Sequence, residues 1–327
     1  MPAGVTPPDA RPSVSRRILG MRVDHVEFNE AARIIVDWAA QSGAGSAQTG
    51  GARAEEKSGA PAGGAGTAEA GGANAGGRRP GRYVCAANVH MTMEAYDDPA
   101  FREVVNAADL VVPDGVPMVW GLRSLGAPQQ RRVRVSPDLL YVLFDACQER
   151  GIRLGLYGGS PETLRVFCDW LAREYPRLHV ACAIDPPFRP LTAEEDERYT
   201  RLIRESGAQL LLVGIGCPKQ EKWMAAHAGL PATPDDAEGP ATAGEGGRPH
   251  GDPALALPCT MFGVGAAFDL LGGRTKNAPA WTRDRGLEWL YRLAQEPRRL
   301  WRRHFRNDPR FLLLFGLQLL RERFSGR

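Results

Sequence analysis

From Ile152 to Gly265 the chain alternates between short, continuous apolar runs and stretches of helical spacing. Ile152–Tyr157, Leu178–Ile184, Ala208–Val213 and Cys259–Val264 read as strands. Helices are predicted from the Gly158-Gly159-Ser160-Pro161 turn to about Tyr175, from Thr192 to Ser206, and after Lys219. A strand that is apolar at every position must be covered on both faces, and a helix between successive strands lets them run parallel. The pattern therefore predicts an α/β fold: a Rossmann-like, mostly parallel sheet with helices on both faces. Earlier segments fit the same scheme. Tyr83–Ala87 is a compact strand ending in Asn88-Val89-His90, Pro99–Ala108 is helical, and Asp109–Val112 is a short strand stopped by Pro113. Helical patterns follow over Val116–Leu125 and over Ser136–Arg150, with Ser136 as cap and Pro137 at the first position, where proline is favoured. Ile18–Asp24 reads as a strand, and Asn29–Ala40 as an amphipathic helix capped by Asn29.

Two tracts cannot belong to that core. Gln41 to Gly81 is almost entirely Gly, Ala, Ser and charge, and residues 230–255 are rich in Pro, Gly, Asp and Glu. Neither buries enough apolar surface to offset its ordering entropy. The expected organisation is a disordered lead-in over 1–17, a core over 18–282 carrying inserts at 41–81 and 230–255, and a basic helical appendage over 283–327. No apolar stretch follows Arg16-Arg17, so no secretory signal is expected.

The appendage stands apart in charge. Residues 283–327 hold 12 arginines against 5 acidic residues, while the rest holds 29 basic against 33 acidic. A mildly acidic body with a basic end points to an anionic partner. Within Pro297–Arg306, at about 100° per residue, Arg298, Arg299, Arg302, Arg303 and Arg306 share one arc, and Leu300, Trp301, His304 and Phe305 the other. That is the pattern of a helix lying on an anionic membrane surface, although helices that simply pack on the domain read similarly. Phe311–Leu320 adds an apolar segment too short to span a bilayer. Nucleic acid is not expected as a partner, because the arginines alternate with a full apolar face and no aromatic positions are spaced along a basic groove.

The six cysteines show no C-x-x-C spacing and read as small buried thiols of a reducing compartment. No D-x-D and no H-E-x-x-H occurs, so no metal site and no cofactor is expected. Two strand-to-helix turns do carry ligand chemistry. Gly158-Gly159-Ser160 and Gly214-Ile215-Gly216-Cys217-Pro218 let a ligand approach the backbone amides at a helix N-terminus, where phosphate is favoured. Neither is a G-x-G-x-x-G or a P-loop. Lys219, Gln220 and Glu221 follow the second turn. Asp114 and Asn88 each follow a strand, and ligands of an open α/β sheet bind at such ends. Asp114 fits two roles, a cap for the following helix and a general base. Arg131, Arg132 and Arg134 stand in the loop beyond.

The runs Ala87-Asn88-Val89-His90-Met91, Ala108–Gly115, Gly214–Glu221, Gly263–Asp269, Gly286–Leu293 and Glu296–Arg303 together resemble the WecG/TagA/CpsF glycosyltransferases, glycosyltransferase family 26. The resemblance covers about residues 18–40 and 82–315 without the inserts. It implies an inverting, metal-independent transferase that moves a sugar, typically N-acetylmannosamine or its uronic acid, from a UDP donor. The acceptor it implies is a polyprenyl-diphosphate-linked sugar used in cell-surface polysaccharide or teichoic acid-type synthesis. By the same resemblance, Asp114 is the base, and Asn88, Arg132 and Gln220 hold substrate. Gly158, Gly159, Ser160, Gly214, Gly216, Lys219 and Glu221 complete the expected substrate site. The C-terminal arginines, Arg298, Arg299, Arg302, Arg303 and Arg306, would meet the diphosphate and the inner face of the cell membrane from the cytoplasm. Ala86 stands where the family often carries threonine, so a hydroxyl that could contact the sugar is missing. The rival from another class is a non-catalytic module binding a nucleotide sugar or anionic lipid, which would not need Asp114.

Overall fold

A computed structural model describes residues 14–42, 81–229, 255–273, 291, 294 and 297–325, with the backbone alone for 297–304 and 325. The lead-in over 1–13, most of both inserts, most of residues 283–296 and the side chains of Arg298, Arg299, Arg302 and Arg303 lie outside the described residues.

The chain opens with a hairpin, β1 (Ser15–Ile18) and β2 (Met21–Asp24), followed by α1 (Phe28–Ser42). The α/β core then runs β3 (Arg82–Ala87), α2 (Val89–Asp97), α3 (Pro99–Ala107), β4 (Leu110–Pro113) and α4 (Val116–Ser124). An irregular helical turn, Val135–Leu139, leads into α5 (Leu140–Arg150). Next come β5 (Leu154–Gly158), α6 (Pro161–Glu174), β6 (Val180–Ile184), α7 (Ala193–Ser206), β7 (Leu210–Gly214), α8 (Lys219–His227), β8 (Thr260–Gly263) and α9 (Ala267–Leu271). A long C-terminal helix, α10 (Pro297–Ser325), follows.

Six strands form one sheet in the order β4-β3-β8-β7-β5-β6, and every neighbouring pair is parallel. Successive residues of a strand face opposite sides. Tyr83, Cys85, Val111, Leu211 and Met261 therefore pack with Met91, Phe101, Tyr199 and Met224 of α2, α3, α7 and α8. Val84, Leu110, Leu154 and Phe262 pack with Ile35, Phe144, Phe167 and Phe268 of α1, α5, α6 and α9. The direction in which strands are added reverses between β5 and β7: β5 continues to β6 on one side, β7 to β8 on the other. A crevice opens at the carboxyl ends of strands at such a switch point.

Several local expectations change. Ile18–Asp24 is not one strand but the end of β1, a turn and β2. Leu19 (φ 52°) and Gly20 (φ 85°) make the turn, and positive φ at both positions suits a two-residue hairpin. Ser15, Arg16 and Arg17 thus leave the expected lead-in and pair with Asp24, Val23 and Arg22. The hairpin covers the edge strand β4: the buried Asp24 carboxylate accepts Val111 N–H at 2.8 Å and is held by Arg22 at 2.8 and 2.7 Å. An edge so occupied offers fewer backbone groups for unwanted pairing. Asn29 lies inside α1, which begins at Phe28, so it is not the cap. Ser136 stands extended (φ −116°, ψ 126°) before α5, but its buried hydroxyl makes no capping bond. An unexpected helix, α2, follows Asn88 directly. Pro113 ends β4 from within, where a proline is tolerated on an edge strand.

At the C-terminus, the two expected segments Pro297–Arg306 and Phe311–Leu320 form one helix of 29 residues with Pro309 inside it. Proline normally breaks a helix by removing an N–H and clashing with the preceding turn. Docking on both sides of Pro309 outweighs that. Asn307 Nδ2 lies 3.3 Å from His90 Nδ1, Arg310 grips Asp97 at 2.6 and 2.5 Å, and Phe311 and Phe315 are buried.

Candidate active site

The strand ends place the expected site residues along one edge of the sheet. Ala87 pairs with Pro113, and Asp114 N–H donates to Ala87 C=O at 2.8 Å. Asn88 and Asp114 therefore leave neighbouring strands side by side. Asn88 Oδ1 accepts Met91 N–H at 3.1 Å and so caps α2. Asp114 does not occupy the matching position of α4. Gly115 does, with φ 98° and no side-chain capping bond, a conformation that glycine adopts without strain. The cap reading of Asp114 gives way to one in which it stands one residue outside the helix. The loop carrying Arg132 and Arg134 runs beside it, because Val133 N–H donates to Pro113 C=O at 3.3 Å. Arg134 is buried and pairs with Asp138 at 3.1 Å, while Arg132 is half-buried and Arg131 exposed.

The glycine turns meet two strands away. Gly158 pairs with Gly214, and a Cβ on Gly158 would stand 2.5 Å from the Gly214 carbonyl. Any side chain there would push the turns apart. Gly159 also has positive φ (78°). A Cβ on Gly216 would meet nothing within 4 Å, so this turn is open to a ligand. Ser160 Oγ caps α6 by accepting Thr163 N–H at 3.1 Å and lies 3.0 Å from Thr163 Oγ1. Thr163 Oγ1 in turn donates to Asp269 Oδ1 of α9 at 3.0 Å. Lys219 begins α8 exposed.

Gln220 and Glu221 lie behind the turn, 4% and 0% exposed. Gln220 Oε1 accepts Gly216 N–H and Gly265 N–H, both at 3.2 Å, and its Nε2 donates to Glu221 Oε1 at 2.7 Å. Burial pushes the Glu221 carboxyl above its ordinary range, opposed by bonds from Gln220, its own backbone and Cys217 that favour the charged form. The edge also gathers the N-termini of α2, α4, α6 and α8, whose exposed amides and dipoles favour an anion. Among the described residues no group of three or more His, Cys, Asp and Glu could hold a metal ion. Arg306 is exposed on α10.

The sequence reading missed Gly265, Thr163 and Asp269 as parts of this edge. The signal was present: Gly263-Val264-Gly265 repeats the Gly214-Ile215-Gly216 pattern at the end of an apolar strand.

The model of the glycosyl transferase WecG/TagA/CpsF family matches residues 68–233 and 252–325. A relative from Bacillus spizizenii, N-acetylglucosaminyldiphosphoundecaprenol N-acetyl-beta-D-mannosaminyltransferase, is 26% identical over 223 residues, 68% of this chain and 74% of its own length. The family match takes in both glycine turns, Asn88, Asp114 and the C-terminal helix. With most of its length matched and its strand ends arranged for an anionic ligand, the chain belongs to the WecG/TagA/CpsF family of glycosyltransferases.

Proposed function

We propose that this glycosyltransferase moves an N-acetylmannosamine-type sugar from UDP to a polyprenyl-diphosphate-linked sugar, with inversion and without a metal ion. The observation that carries the reading is the placement of Asp114 beside Asn88 and the Arg132 loop, on the same sheet edge as the two glycine turns. The name of the Bacillus relative supports the sugar and acceptor class. The Gly158–Ser160 and Gly214–Lys219 turns hold the nucleotide diphosphate by backbone amides at helix N-termini. Asp114 takes the proton of an acceptor hydroxyl. The hydroxyl oxygen bonds to the anomeric carbon from the face opposite UDP, and the carbon–oxygen bond to UDP breaks with its electron pair. UDP leaves as an anion that amides, helix ends and Arg132 stabilise by charge-assisted bonds.

The acceptor arrives from a membrane, and α10 supports the same reading. Its buried side chains Asn307, Phe311 and Phe315 and the half-buried Gln318 dock on the domain. The opposite arc, roughly 140° wide at 100° per residue, carries Phe305, Leu312, Leu313, Leu317, Leu320 and Phe324, all 44–72% exposed. An apolar stripe of this kind fits the interfacial region of a bilayer, and Arg306 and Arg323 lie on that arc to meet anionic headgroups. No helix among the described residues is long and apolar enough to cross a membrane. The proposed location is the cytoplasmic face of the cell membrane, held peripherally. The test is UDP release over a panel of UDP-sugars with a short-chain lipid diphosphate acceptor. Release with an N-acetylmannosamine-type donor is expected, and no release with any donor overturns the reading.

A further inference from the structure

Gln220 looks like a ligand-binding residue in sequence, but its carboxamide oxygen is fully committed inside the protein. Its oxygen accepts the amides of Gly216 and Gly265, the middle of the turn after β7 and the end of the turn after β8. One side chain thus ties two neighbouring turns to a single point. A carboxamide can flip, and flipped it would set its NH2 against two N–H donors. The Glu221 carboxylate, accepting from Nε2 at 2.7 Å, selects the orientation that binds them. The pocket for this pair is tight. A Cβ on Gly263 would come within 2.9 Å of Gln220 Nε2, so β8 ends in glycine where the amide lies. Glu221 is fully buried. A buried carboxylate is expensive to retain for packing alone.

We propose that Glu221 is a positioning residue: acting through Gln220, it fixes the Gly216 turn, which receives the nucleotide diphosphate, against the neighbouring Gly265 turn, and it touches no substrate. This rests on the nucleotide reading above. The step from Glu221 to the turns passes through one carboxamide, so its effect must vanish when that carboxamide is gone.

A double-mutant cycle tests this, with UDP affinity measured by calorimetry on the full chain. Gln220→Met and Glu221→Met are each expected to weaken UDP about tenfold, and the double variant by no more than about threefold beyond either. Glu221→Gln, which keeps an acceptor for Nε2, is expected within about threefold of wild type. In turnover assays KM for the UDP-sugar should rise more than kcat falls. Losses that multiply in the double variant overturn the proposal, as does a Glu221→Met Kd unchanged from wild type. Should Glu221→Met not fold, Gly263→Ala carries the test, since it presses on Gln220 and leaves Glu221 in place; an unchanged Kd there overturns the proposal. No UDP binding by the wild-type protein overturns the nucleotide reading itself, a separate result from binding that ignores these variants.

Discussion

Asp114 and Glu221 are both carboxylates beside a glycine turn, and their surroundings divide the work between them. Asp114 is partly exposed at a strand end beside the Arg132 loop, where an acceptor hydroxyl can reach it. Asp114→Asn keeps the shape and removes the base, so transfer should fall by about 10²–10⁴, the range of general-base contributions, with UDP affinity nearly unchanged by calorimetry. Retained transfer would remove Asp114 from the mechanism. Glu221 lies in the interior with its carboxyl raised by burial. Its folded pKa exceeds the unfolded value of about 4.3, so its contribution to stability is complete below that value and declines as pH rises through the folded one. Glu221→Gln removes this titration. Melting curves from pH 4 to pH 8 should therefore show wild type losing stability relative to Glu221→Gln as pH rises; parallel curves would exclude a raised pKa. Composition and spacing distinguish such residues poorly, because Asp-Gly and Gln-Glu after a strand both look like ligand chemistry. Burial separates them, and burial depends on β8 lying beside β7.

At the level of elements, the strands were legible because each is a continuous apolar run, and continuous runs need cover on both faces. Their order was not. That β8 lies between β3 and β7 follows from how whole helices pack, which no local pattern encodes. The Leu19-Gly20 turn was hidden inside an otherwise strand-like run. The same limit applied to α10: Pro309 stands between the two expected segments, and only the contacts of Arg310 and Phe311 with the domain show why the helix continues. The Arg310 guanidinium holds the Asp97 carboxyl below its usual range. This latch is present above the ordinary carboxylate range and lost only as pH falls through the depressed value, so the Arg310–Asp97 contact should not weaken between pH 6 and pH 8. The exposed face of α10 is a separate matter. Leu313→Glu with Leu320→Glu should abolish co-sedimentation with anionic vesicles while leaving UDP binding intact, since both residues point away from the core. Sedimentation equal to wild type would show that the stripe serves something other than a bilayer.

For the whole molecule, the two low-complexity tracts leave from one place. Gly81 packs so closely on Leu257 and Ala228 that a Cβ would stand 2.5 Å from the Leu257 carbonyl. Arg82 also lies over the Trp38 ring at 4.9 Å near the end of α1. Both roots are at the amino ends of β3 and β8, while Asn88 and the Gly265 turn are at their carboxyl ends. Replacing residues 43–80 by a short Gly-Ser linker from Ser42 to Gly81 should leave kcat/KM within about threefold, because that end of the sheet carries no site residue. A larger loss would mean the tract reaches the site. A parallel sheet thus gives the enzyme a front and a back, separated by strands of 4–6 residues, or roughly 13–20 Å at 3.3 Å per residue. That separation works as an orientation gauge. On vesicles containing a lipid-borne quencher, a fluorophore at Leu313 on the exposed face of α10 should dim, and the brightness of one at Ser42 reads how far the back of the sheet stands from the bilayer.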